Sequence, residues 1–167
     1  MTATPDNHDT DGLMQIAEWV VRRTFDDAFD SPDYNWDPTL AFVSRRRIRV
    51  VLIDTCDRDA ACAQIEQTLS AAHATEAVWI TACWFAQYAE HEMSAEGAVL
   101  TSMRPSLHPD RREGIMMAHV TADSFELRTA DLTRFTDRPP RLGPFTSRGR
   151  DLDVDGFYAD VMRRGIG

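Results

Sequence analysis

The chain has 167 residues, 43% of them hydrophobic and 27% charged, with a formal net charge of −9. Such a length and composition suit one folded domain and exclude wholesale disorder, while the acidic balance argues against non-specific binding to nucleic acid or anionic lipid. All 18 basic residues are arginine, which removes mechanisms that need a lysine ammonium, such as a Walker phosphate loop, a Schiff base or a pyridoxal site, and no cofactor is expected.

Residues 1–10 are rich in Thr, Asp, Asn and Pro and are predicted to be disordered. Thr10 or Asp11 caps a helix running to about Ala28, with Leu13, Ile16, Ala17, Val20 and Thr24 at helical spacing and Trp19 beside them, a stripe expected to face a sheet. Asp30 to Pro38 holds two prolines and reads as a loop pinned by Tyr34 and Trp36. Residues 39–54 predict a hairpin turning at Arg45 and Arg46, whose second strand carries the run Val50-Val51-Leu52-Ile53 expected in a largely buried position. Asp57 caps the next helix, Arg58 to about His73, with Cys62, Ile65, Leu69 and Ala72 on its apolar side.

Ala77 to Phe85 is apolar on both faces, the pattern of a central strand. Ala86 to Gly97 is polar, a loop or a single helical turn. Strands are predicted over 98–103 and over Gly114 to Thr121, and a last strand in which Phe125, Leu127 and Thr129 alternate with Glu126 and Arg128, leaving one face wet. Residues 136–150 lack periodicity and are expected to cross the surface as a loop, before a short helix from about Asp155 to Arg164.

This order predicts a single α+β domain over 11–133, an antiparallel sheet of about five strands with helices packed on its faces. An arginine- and proline-rich loop and a short C-terminal helix follow over 134–167. The element order resembles the roadblock and profilin-like folds, which implies an interaction platform. No apolar run approaches the roughly 20 residues that span a bilayer, and the first residues are unlike a secretory signal, so a cytoplasmic protein without membrane contact is expected. Cys56, Cys62 and Cys83 have no metal or redox spacing and read as buried thiols. Residues 1–37 hold nine acids against Arg22 and Arg23, and 134–150 hold five arginines against Asp137; such ends attract, within a chain or between copies.

The densest chemistry lies in Arg104-Pro-Ser106-Leu-His108-Pro-Asp110-Arg111-Arg112-Glu113. His108 is a possible general base if Asp110 or Glu113 orients it, Ser106 a nucleophile, and Arg104 or Arg111 a clamp for an oxyanion or phosphate. The structural reading of the same residues pairs Asp110 and Glu113 with Arg104, Arg111 and Arg112 around a turn between strands. The pattern Arg-Pro-Ser-x-His-Pro-Asp-Arg-x-Glu resembles a segment of uncharacterised bacterial and phage proteins over about residues 39–131; that group has no assigned activity and implies no role for any residue.

Other patterns break on inspection. His91 and Glu92 with His108 and Asp110 are possible ligands for a divalent metal, but without local ligand spacing. Asp151-Leu-Asp153-Val-Asp155-Gly156 resembles the first half of an EF-hand calcium loop, yet Met162 stands where the bidentate glutamate belongs. Asp54 and Asp57 resemble the strand-end aspartates of haloacid dehalogenase phosphatases, which lie two apart rather than three. Arg45, Arg46, Arg47 and Arg49 sit in a hairpin without stacking aromatics, so nucleic acid is not the favoured partner. The reading favoured from sequence is a non-catalytic, self-associating cytoplasmic module that binds protein. A small hydrolase, with or without metal, and a nucleic-acid or phage-related binding protein are the alternatives.

Overall fold

A computed structural model describes residues 11–27, 36–54, 57–86, 88–94, 105–150 and 157–166. The expectations for residues 1–10, Tyr34, Cys56, 98–103, Arg104, Asp151, Asp153 and Asp155 fall outside these. The described elements are α1 (Asp11–Asp27), β1 (Thr39–Ser44), β2 (Arg47–Leu52), α2 (Arg58–Ala72), β3 (Glu76–Ala86), β4 (Arg111–Thr121), β5 (Phe125–Thr133), β6 (Arg141–Leu142), β7 (Thr146–Arg150) and α3 (Phe157–Gly165). Strands run antiparallel in the order β2-β1-β3-β4-β5-β6, with β7 also pairing β5. The α+β class stands, but the described sheet has seven strands rather than about five. The two extra strands come from 136–150, where β6 and β7 take up the outer edge of β5 in place of the expected surface loop.

Each face of the sheet carries its own core. Leu13, Met14, Ala17, Val21 and Phe25 of α1 pack with Trp36 on Ala41, Val78, Ile80, Ile115, Met117 and Leu132. On the opposite face, α2 and α3 bring Ile65, Leu69, Val161 and Met162 against Leu40, Phe42, Trp79, Val120 and Phe125. The strands therefore alternate between two cores, as their period of two requires. Fully burying one such side chain is worth about 1.5–3 kcal/mol.

The ends of α2 follow local rules. Asp57 accepts a hydrogen bond from the Ala60 N–H at 2.7 Å, as expected of its cap. At the other end His73 adopts a left-handed conformation and donates its N–H to carbonyls of the last turn, while the Ser44 hydroxyl donates to the Ala72 carbonyl. Gly165 lets α3 lie against α2, because a Cβ there would sit 2.8 Å from that of Leu69.

Three expected faces differ. On α1 the buried stripe is Leu13, Met14, Ala17, Val21 and Phe25, so Ile16, Trp19 and Val20 face outward. Strand β2 is not buried: it is the sheet edge, and Val50 and Leu52 are each 61% exposed. Finally, Glu126 and Arg128 of β5, expected to face water, are covered because α1 reaches over them, and the exposed residues of β5 are Asp131 and Thr133 at its end. Arg128 bonds Glu126 at 2.8 Å and Glu18 of α1 at 3.3 Å. Burial opposes its charge, but those two carboxylates more than offset it and raise the guanidinium pKa.

Candidate functional site

The segment bearing His108 leaves Pro105–Leu107 as a 3-10 turn and enters β4 at Arg111. The His108 N–H donates to the Pro105 carbonyl at 3.2 Å, and the Arg111 N–H to the His108 carbonyl at 3.2 Å. Arg111, Arg112 and Glu113 are thus strand residues, not part of a free loop. Two prolines and this pair of backbone bonds hold the turn, and His108 is driven inward to 3% exposure.

The ring of His108 is engaged on three sides. Its Nδ1 accepts the Asp110 backbone N–H at 3.1 Å, so that nitrogen carries a lone pair and the proton of the neutral ring lies on Nε2. Nε2 lies 3.3 and 3.4 Å from the two carboxylate oxygens of Glu92. Tyr88 meets the ring edge-on, with centroids 4.9 Å apart. Glu92 in turn accepts the Ala89 N–H at 2.8 Å, closing the 3-10 turn Glu90–Glu92. The Ala89 N–H above all holds the Glu92 carboxyl below its ordinary pKa; desolvation opposes it, and the His108 ring adds a smaller lowering contribution.

The remaining candidates do not gather around this imidazole. Glu113, instead of pairing with Arg111 or Arg112, takes a two-pronged guanidinium from Arg134, with Nε–Oε2 at 2.7 Å. Arg112 pairs with Asp131 at 3.1 Å, and Arg111 lies over the Trp84 ring at 5.6 Å. Asp110 holds His108 by its backbone while its side chain is exposed, and Ser106 is half-buried in the 3-10 turn. His91 is exposed; among the described residues no three His, Cys, Asp or Glu side chains converge as metal ligands. An open cleft of 540 Å³ is lined by Tyr88, Ala89, Asp110, Arg111 and Arg112, beside His108 rather than over it.

A base needs a free lone pair, and the Nδ1 lone pair of His108 is taken by the chain's own backbone. This arrangement clamps the segment 88–94 to the start of β4. The role of Glu92 was legible only as half of a metal pair with His91; the capping geometry that turns it back toward Ala89 and His108 is tertiary.

A second feature was missed in sequence. Among the described residues the exposed large apolar side chains are Ile16, Trp19, Val20, Ile48, Val50, Leu52, Trp84 and Leu107, of which Ile16, Val20, Ile48, Val50 and Leu52 belong to neighbouring surfaces of α1 and β2. The alternation of β2 puts Ile48, Val50 and Leu52 on the face that carries α1, opposite Val43, Ala41 and Thr39 of β1. On α1, Glu18 and Arg22 reach toward Arg128 and Gly143 at the β5–β6 side. At 100° per residue, Ile16 and Val20 lie on the contrary flank, toward β1 and β2, while Trp19 lies opposite the buried stripe, away from the sheet.

Comparison with protein-family models, curated proteins and solved structures finds no match in any of the three. No helix among the described residues is long and apolar enough to cross a membrane.

Proposed function

We propose that this protein is a non-catalytic protein-interaction module that self-associates through the side of the molecule formed by α1 and β2. The observation that carries this reading is the exposure of Ile16 and Val20 of α1 and of Ile48, Val50 and Leu52 of β2 beside a sheet edge that is unpaired among the described residues. Exposed large apolar side chains grouped on neighbouring elements mark contact sites. The hydrolytic alternative is disfavoured because His108, Glu113 and Arg112 are each engaged by a separate partner, Glu92, Arg134 and Asp131. A cytoplasmic setting accords with Cys62 and Cys83, both free thiols.

The test is the molar mass in solution by light scattering. A dimer or larger species at micromolar concentration is expected; a strict monomer there overturns the reading.

A further inference from the structure

We infer that the partner at β2 is a second copy of this chain, paired antiparallel about Val50 so that two sheets become one. This rests on the self-association proposed above and specifies its geometry.

The backbone argument starts at the β1–β2 hairpin. Arg45 and Arg46 form its two-residue turn, both with positive φ, so the flanking pair Ser44–Arg47 is hydrogen-bonded and every second pair after it. The Ile53 N–H donating to the Pro38 carbonyl at 2.9 Å continues this alternation. Arg47, Arg49 and Val51 therefore face β1 with their peptide groups, while Ile48, Val50 and Leu52 aim theirs away from it. Since β2 ends the strand order among the described residues, those N–H and C=O groups line an edge left open by them, a template for another strand.

Side-chain chemistry selects the register. A two-fold axis normal to the sheet keeps each face on its own side, so only even offsets are allowed. Centring on Arg49 sets it against its own copy, and centring on Ile48 sets Arg47 against Arg49; both place like charges directly opposite, which destabilises, and centring on Val51 sets the Asp54 carboxylate opposite Ile48, without a charge partner. Centring on Val50 sets Ile48 opposite Leu52, Val50 opposite itself and Arg49 opposite Val51. The same register brings Arg46 of each copy opposite Asp54 of the other. Both residues are exposed, and among the described residues neither meets an opposite charge, so the symmetric pairing supplies each with one, twice over.

The axis also leaves both α1 helices on one side of the joined sheet, with the flanks of Ile16 and Val20 facing each other over the seam. Two short edge strands alone bury less than the roughly 1,200 Å² of a stable interface. The α1 flanks, with Ile16 44% and Val20 37% exposed, add the apolar area that strand pairing lacks.

The experiment measures dimer dissociation by light scattering for the wild-type chain and for Val50→Pro, Arg46→Glu, Asp54→Arg and the double variant Arg46→Glu/Asp54→Arg. Val50→Pro removes an N–H that points out of the protomer, and edge strands accept proline there; a folded monomer by circular dichroism is expected. Each single charge variant weakens the dimer about tenfold, and the double variant recovers most of that loss. In the wild-type dimer the amides of Ile48, Val50 and Leu52 are protected from hydrogen exchange, which decides the matter should Val50→Pro fail to fold. A dimer indifferent to all four variants overturns this seam and leaves self-association standing. A wild-type monomer overturns both and leaves the edge to a foreign strand.

Discussion

The imidazole of His108 and the carboxylate of Glu92, 16 residues apart in sequence, meet at 3.3 Å and tie the start of β4 to the turn that follows β3. Because the other ring nitrogen accepts the Asp110 N–H, the histidine bridges two backbone turns. Replacing it by alanine strands the Asp110 N–H, frees Glu92 and opens a cavity beside Tyr88. His108→Ala is therefore expected to cost about 2–4 kcal/mol in urea unfolding. Loss of no more than a few tenths would show that the contact is not structural.

Acid should loosen this tie in a defined direction. The Ala89 N–H and His108 hold the Glu92 pKa below its ordinary value, so the carboxylate's contribution is fully present above the unfolded-state value of about 4.3. It is lost as pH falls through the lower folded value. Thermal melts of the wild type and Glu92→Gln are expected to differ above about pH 5 and to converge in more acid buffer.

Gly114 lies where β4 passes beneath the Phe85 ring. A Cβ there would stand 2.6 Å from the Phe85 Cε2 and closer still to the Ala130 carbonyl oxygen, a backbone atom that cannot move without parting β4 from β5. Gly114→Ala is expected to destabilise by about 2–3 kcal/mol, read as a lowered urea midpoint. Gly114→Ala combined with Phe85→Ala recovers only the part due to the ring.

Arg45 has a φ of 50° and Arg46 of 61°, a left-handed pair that ordinarily calls for Asn and Gly. Arg45→Asn relieves strain without touching the residues assigned to the seam. A gain of about 0.5–1 kcal/mol in stability, with unchanged self-association, is expected.

Burial pushes the Cys83 thiol up to about 12, so almost no thiolate exists at neutral pH. Alkylation followed by peptide mass mapping should leave Cys83 unmodified in the native protein and modify it fully in denaturant. Rapid native labelling would mean that β3 opens locally.

Local rules carried much of the fold. The Asp57 cap, the α2 stripe of Cys62, Ile65 and Leu69, the Arg45–Arg46 turn and the central position of β3 were all legible because each depends on residues close in sequence. Patterns that needed a partner were misread. Val50 to Ile53 looks like a buried strand, but burial requires a neighbour on each side, and among the described strands β2 has one. Glu126 and Arg128 look solvent-facing until Glu18 of α1 arrives above them, and 141–150 is too short in period to announce β6 and β7. At the candidate site, composition drew attention to residues 104–113 while geometry distributed their charges among Asp131, Arg134 and Glu92.

The sequence by itself determined an α+β chain without lysine chemistry, its hairpin and the faces of its central strands. These follow from periodicity and capping, which act over a few residues. Only the tertiary structure decided that His108 ties two turns together and that Ile16 and Val20 of α1 and Ile48, Val50 and Leu52 of β2 are left exposed. Both outcomes depend on which surfaces distant elements cover, and that is settled when the sheet order leaves β2 at its edge and α1 leans toward β5.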